Sequence, residues 1–379
     1  MATSDTLNIT EKLIINESIE KFEYHEYSSK ITNFDNPGTE ISIPINQQGL
    51  FTLPSEAYIL IEGRLLKADG TSYANADAVT LINNGLMYLF ARAEYQLSGE
   101  TLEIINNLVT ATTMLGLLKY PNYFQNVQGM NQLWYKDSST TAAIATNLGF
   151  AARQSYLIQE PNTKGKFSFT VPLKHIFGFC DTYDKVVYGL THTLTLIRES
   201  DNNAIFRAAG TAAGQVNLTK VSIFMPHIKP SLEYQLKLNN EIVSKETLPI
   251  SYIERRSELI IVPQTTDFTW TLNVTSSSTR PRFIIVGFQT NKNNNQEQNP
   301  AIFDHCDLKN MYVKLNSRSY PEIVSYNLSF PDQQFSRAYR DASLFTKKFY
   351  GMNELISQCR INPQYYKTLY PLFVFDVSK

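Results

Sequence analysis

Side chains that alternate between apolar and polar along short runs constrain this chain most. Phe167, Phe169 and Val171 alternate with Ser168 and Thr170. Leu194 and Leu196 alternate with Thr193 and Thr195. Phe268, Trp270, Leu272 and Val274 alternate with Thr269, Thr271 and Asn273. A β-strand sends successive side chains to opposite faces, so each run predicts a strand with one dry and one wet face. Residues 58–66, 259–262, 283–288 and 372–377 are apolar on both faces. They predict strands covered on both sides, by a second sheet, a loop or a neighbouring subunit. Turn residues punctuate the runs at Asn36-Pro37-Gly38, Ala68-Asp69-Gly70, 162–165, 200–203 and 276–281. Many strands broken this way predict an all-β sandwich or barrel, and no glycine-rich phosphate loop follows any of them.

Two helical stripes interrupt the pattern: Ile104, Leu108, Ala111 and Leu115, then Phe335, Tyr339, Ala342, Phe345 and Phe349. Asp332 is the expected N-cap of the second. Each predicts an insertion across a sandwich edge. At 379 residues the chain holds two units, since one sandwich takes roughly 150–200 residues. Strands, a helix and more strands run to about residue 228, and the plan then repeats. Pro226 to Pro230 reads as a linker, because two prolines oppose continuous ladder pairing. The predicted division is an N-terminal arm at 1–18, a first unit at 19–228 and a second at 229–379. Residues 120–160 and the Asn-rich stretch 290–300 read as long surface loops.

With 34 basic and 35 acidic side chains the net charge is −1, and no long basic tract exists to neutralise phosphates. Direct, sequence-specific nucleic-acid binding is therefore not expected. Cys180, Cys306 and Cys359 are odd in number and scattered, which predicts reduced thiols. Residues 1–5 lack a basic region and an apolar core behind it, so no signal peptide is expected, and no apolar run is long enough to span a membrane. The sequons at Asn8, Asn16, Asn217, Asn273 and Asn327 are read as unused.

The residues that carry chemistry are sparse. The histidines are His25, His175, His192, His227 and His305. His175 and Cys180 read as a packed loop rather than a ligand pair. Asp304-His305-Cys306-Asp307 is the densest potential ligand set, but a short extended segment points alternate side chains to opposite faces. It reads as a polar turn opening a strand. No Gly-x-Ser-x-Gly elbow is present. Asp181 and Asp184 are expected to pair with Lys174 or Lys185, and Arg255 and Arg256 read either as placing one arginine in a buried ion pair or a subunit interface, or equally as solvated charge on a strand edge. No catalytic residue, cofactor site or metal site is assigned.

Specific segments resemble a known family. They are Pro172-Leu173 leading to Phe177-Gly178-Phe179, residues 183–189, the run 192–198, residues 218–223 with the Pro226-His227 exit, residues 282–290, 299–304 and 312–316, and Tyr320-Pro321. Their order, from about residue 40 to 379, resembles double jelly-roll major capsid proteins of the adenovirus–tectivirus lineage, especially those of Polinton/Maverick elements, adintoviruses and related small eukaryotic DNA viruses. The resemblance implies two tandem eight-stranded antiparallel jelly-roll sandwiches with short helical insertions. It implies a homotrimer forming a pseudo-hexameric capsomer that tiles an icosahedral virion beside neighbouring capsomers, penton and minor capsid proteins. It also implies synthesis in a host cytoplasm, with assembly there or in the nucleus, and no catalytic residues. Contact with an internal membrane stays open.

Other readings weighed are a carbohydrate-binding, lectin-like jelly-roll, a cupin-like enzyme, which would need a His-x-His metal set absent here, and a capsid-like protein of an integrated element.

Overall fold

The computed structural model describes residues 18–46, 51–159, 164–244, 249–272, 280–322, 324–352 and 361–378. The predicted arm at 1–18 therefore lies outside them except for Ser18, as do Cys359 and the sequons at Asn8, Asn16 and Asn273.

Among the described residues twelve strands lie between 19 and 230: β1 (Ile19–Ser28), β2 (Glu40–Ile45), β3 (Phe51–Thr52), β4 (Tyr58–Lys67), β5 (Val79–Leu81), β6 (Phe90–Leu97), β7 (Glu100–Asn106), β8 (Lys166–Pro172), β9 (Val187–Tyr188), β10 (His192–Arg198), β11 (Ile205–Arg207) and β12 (Gly214–Pro230). One sheet runs β8-β4-β12-β3-β9, with β1 on the other edge of β12, and the facing sheet runs β2-β10-β6-β7. The pairings given for both are antiparallel. The chain passes from sheet to sheet (β1, β2, β4, β6), so the eight long strands β1-β12-β4-β8 and β2-β10-β6-β7 form a jelly-roll. The predicted alternation is realised: Phe167, Phe169 and Val171 of β8 and Leu194 and Leu196 of β10 are buried in the space between the sheets. Each fully buried side chain of this size contributes about 1.5–3 kcal/mol.

The run 58–66 is β4, but its burial alternates, and its second face is only half covered. There Tyr58 stacks on Phe224 at 5.0 Å. The expected linker is instead the end of β12, a 17-residue strand. In an antiparallel strand a residue's N–H and C=O point the same way. The Pro226 carbonyl accepts from Leu53 N at 3.2 Å, so the missing N–H faces that side and the β1 ladder loses nothing.

Helix α1 (Leu108–Lys119) follows β7, and Ile104 belongs to the strand rather than the helix. The helix buries Leu108 in the first cluster and Leu117 and Leu118 in a second one, so it bridges two cores instead of lying on one edge. Residues 120–159, the described part of the next predicted loop, are likewise not a surface loop. Trp134 is 2 % exposed, makes an edge contact with Tyr120 and closes over Gly116. A Cβ at Gly116 would lie 2.7 Å from Trp134 Cζ3 and 2.8 Å from Tyr120 Cε2. Gly116→Val is expected to lower stability by about 1–3 kcal/mol through overpacking, measured by urea unfolding. In the same segment α2 (Leu148–Gln154) is capped by Asn147, whose Oδ1 accepts from Phe150 N.

Two short helices, α3 (Leu173–Ile176) and α4 (Gly178–Thr182), follow β8, and α5 (Leu232–Val243) follows β12. The helix α5, absent from the sequence expectation, buries no residue. Beyond it the described strands are short: β13 (Phe283–Val286) pairs with β16 (Phe373–Asp376), and β14 (Val313–Leu315) pairs with β15 (Arg318–Tyr320). Residues 259–262 and 268–272 form no ladder, and Leu259, Ile261, Val262 and Phe268 are exposed. Alternation specifies faces, but a ladder needs a partner edge, and no described strand supplies one there. Residues 283–286 are half-buried, whereas 372–375 are buried.

The second helical stripe is split into α6 (Ser336–Ser343) and α7 (Phe345–Tyr350), with Ala338, Ala342 and Phe345 buried. Asp332 does not cap it. Its carboxylate accepts from Ser329 Oγ at 2.6 Å inside a turn closed by mutual Ser329 and Gln334 backbone bonds, and the N-cap is Phe335. A last helix, α8 (Pro363–Thr368), is capped by Asn362. The second core cluster gathers Phe330, Phe345, Tyr366, Tyr370 and Phe373 with Trp134 and the end of α1.

Candidate functional site

The densest polar chemistry lies where α1, α4, α7 and the segment after Ser251 meet. Asp181 is its centre, with a side chain 7 % exposed. Its Oδ1 accepts from Lys119 Nζ at 2.7 Å, and its Oδ2 accepts from Arg255 and from the Tyr350 hydroxyl, both at 2.7 Å. Burial would raise the Asp181 pKa, but Lys119 and Arg255 hold it below the usual carboxylate value. The same burial lowers the Lys119 pKa, against the pull of Asp181. Arg255 also donates to the carbonyls of Lys174, His175 and Ile176, closing the end of α3, where a cation suits the helix dipole. Beside it Glu103 accepts from the backbone N–H groups of Gly178, Phe179 and Arg255 at 2.8–3.0 Å. Burial still pushes the Glu103 carboxyl above its ordinary range.

This arrangement clamps segments together. Each carboxylate is filled by donors from other elements, and the nearby thiol, Cys180, is buried with its pKa pushed well up. A buried neutral thiol is a poor nucleophile. Asp181 thus pairs with Lys119 and Arg255 rather than with Lys174 or Lys185. Arg255 makes a part-buried pair with Asp181, one of the alternatives its sequence context left open, while Arg256 pairs with Glu254 at the surface. Nothing in the local sequence around Asp181 signals partners 62 and 74 positions away.

The other singled-out residues lie apart. His175 bonds Gln132 Oε1 at 2.8 Å, and burial lowers its pKa to about 3. His305 stacks on Phe330, and Cys306 and Asp307 form the expected turn. Asp304 pins Thr290 and Lys292, anchoring the Asn-rich loop. That loop is clasped to the first sandwich. Gln296 Oε1 accepts from Gly214 N at 2.8 Å, and Asn299 Nδ2 donates to Asp137 at 3.0 Å. Among the described residues no group of three or more His, Cys, Asp or Glu side chains could hold a metal ion. No described helix is long and apolar enough to cross a membrane. A surface pocket of about 350 Å³ is lined by Phe283, Tyr326, Arg337, Asp341, Lys348 and Phe375. Tyr326, Arg337, Asp341 and Lys348 are engaged with one another, with Asp376 or with backbone, as in Tyr326–Asp341 at 2.8 Å and Lys348–Asp376 at 3.2 Å.

Sheet order and the clamp together define a jelly-roll sandwich tied to a second core. A family model described as the double jelly roll-like domain matches residues 79–379. The chain belongs to the double jelly roll-like domain family, and the expected all-β double jelly-roll class holds. Among solved structures it is similar to the mavirus major capsid protein (14 % identity, 62 % of this chain and 51 % of that one, TM-score 0.38). It is also similar to a chain of the Sputnik virophage (10 %, 60 % and 51 %, TM-score 0.40) and to the Faustovirus major capsid protein (12 %, 61 % and 59 %, TM-score 0.36). The chain spans between half and three-fifths of the length of these three. No curated protein matches it.

Proposed function

We propose that this chain is a structural building block of a viral shell, a major capsid protein without catalytic function. The observation that carries the reading is family membership over residues 79–379. The donor-filled clamp at Asp181 agrees with it, because such a junction sets the relative placement of segments and leaves no carboxylate free for turnover. In this reading the chain divides into an arm at 1–18 and jelly-rolls at 19–228 and 229–379. Three copies form a pseudo-hexameric capsomer, and capsomers tile an icosahedral virion with penton and minor proteins. Closed symmetric contacts of this kind bury roughly 2,000 Å² or more.

Light scattering of the purified protein is expected to give a mass near three times the 43.2 kDa of one chain, or a larger shell. Negative-stain images are expected to show hexagonal outlines. A monomer that persists under assembly-promoting conditions and binds glycans saturably would replace this reading with the lectin-like one.

A further inference from the structure

His25, His227 and His192 form a line across the join of the two sheets. The His25 ring on β1 lies 4.3 Å from the His227 ring on β12, centroid to centroid. Tyr27 on β1 shares a 2.9 Å hydrogen bond with His227 Nε2. His227 is buried, and its Nδ1 has no partner among the described residues. Thr52 on β3 is its cross-strand neighbour. The Thr52 hydroxyl donates to the Val187 carbonyl at 3.1 Å, so it accepts from His192 Nε2 at 2.8 Å. His192 Nδ1 then accepts from the Tyr95 hydroxyl at 2.8 Å.

At His192 the network fits the neutral Nε2–H tautomer, and at His227 a neutral ring with its hydrogen on Nε2, toward Tyr27, leaves no donor at the unpartnered Nδ1. A proton added at His227 Nδ1 meets no acceptor. One added at His192 Nδ1 turns the Tyr95 oxygen into an acceptor and strands its own hydrogen in the core. Unmet buried donors of this kind are costly.

The strand such charges would act on is weakly held. β1 is an edge strand, and none of its ten residues is buried. Its hold on β12 is a ladder, the contacts of His25 and Tyr27, and two exposed ion pairs, Lys229–Glu20 and Lys220–Glu26. The charged groups facing the cluster come from β1 and β12. Glu23, opposite His227, pairs with Lys21 at 2.8 Å and lies 3.7 Å from His25 Nε2. Lys229 pairs with Glu20, and Lys220 pairs with Glu26. From β3, β6 and β10 come uncharged Thr52 and Tyr95, together with His192.

We propose that His25 and His227 are an acid-operated latch on β1. Protonation of His227, in ring contact with His25, places a donor at Nδ1 that meets no acceptor and frees β1 from β12, uncovering the β12 edge between Ser222 and Pro230. Burial lowers the pKa of both His227 and His192 from 6.5 to about 4. Below 6.5 the unfolded chain binds protons that the folded one does not, so the hold weakens as pH falls from 6.5 towards 4.

The test is hydrogen–deuterium exchange of peptides covering 19–28, corrected for intrinsic rate, at about pH 7 and about pH 4.5. Protection of β1 is expected to fall about tenfold while β8 and β10 hold. Unchanged β1 protection overturns the latch. So does a pH step that survives in the His25→Phe/His227→Phe variant, since that assigns it to groups other than the histidines. Should that variant not fold, His25→Phe alone serves, because this side chain is 41 % exposed and its loss leaves the Tyr27–His227 bond in place. It is expected to move the midpoint down by about half a pH unit or more, and an unmoved midpoint overturns the proposal.

Discussion

Replacing Asp137 with alanine is expected to lower folding stability by about 3–5 kcal/mol, read as a drop in the urea midpoint at constant slope. The Asp137 and Arg153 side chains are both fully buried and 2.8 Å apart. Arg153 also donates to the carbonyls of Leu81 and Tyr135. The Asp137 carboxylate further accepts from Asn147 and Asn299. Its removal leaves the Arg153 guanidinium without its counter-ion and the Asn299 amide without its acceptor in a dry site, while Asn147 keeps the Ser139 and Thr141 carbonyls, and the cost is that of an unpaired buried charge. The paired variant Asp137→Leu/Arg153→Met removes both charges together. It is expected to lose clearly less than Asp137→Ala, because no ion is stranded. Equal losses would show that packing around Asp137, rather than charge, carries the effect.

Asp181→Ala is the second large effect, also about 3–5 kcal/mol. It strands Lys119 and Arg255 and takes an acceptor from Tyr350. The loss falls on elements far apart in sequence, so limited proteolysis is expected to cut faster near residues 251–256 and near α7. The acid response gives an independent check. The Asp181 pKa is depressed in the fold, so its contribution is full above the unfolded value of 3.8 and is lost as pH falls through the folded one. Below pH 3.8 the wild type should lose stability more steeply than Asp181→Asn. That window lies below the one in which the histidines act.

Much of the first sandwich is legible along the chain. Phe167 to Val171 and Leu194 to Leu196 lie as their alternation predicts, because the signal is local. The misreadings share a cause. Ile104 has helical spacing to Leu108, yet it pairs in β7, since spacing says nothing of where a helix begins. Pro226 suggested a break, yet it sits where β12 needs no donor. Residues 120–160 were too polar to look like core, because Asp137, Asn147 and Arg153 satisfy one another only after folding. The clamp at Asp181 was invisible for the same reason: its donors are brought in by α1, α7 and the segment holding Arg255.

The sequence by itself determined the β class, the inward faces of β8 and β10, and the near balance of charge. These follow from composition and from the two-residue period of an extended backbone, which need no partner. Only the tertiary structure decided which edges pair, how the chain alternates between sheets, and which polar side chains are buried. Each of those depends on groups distant in sequence meeting in space, since a buried charge or a strand edge is stable only once its partner is in place.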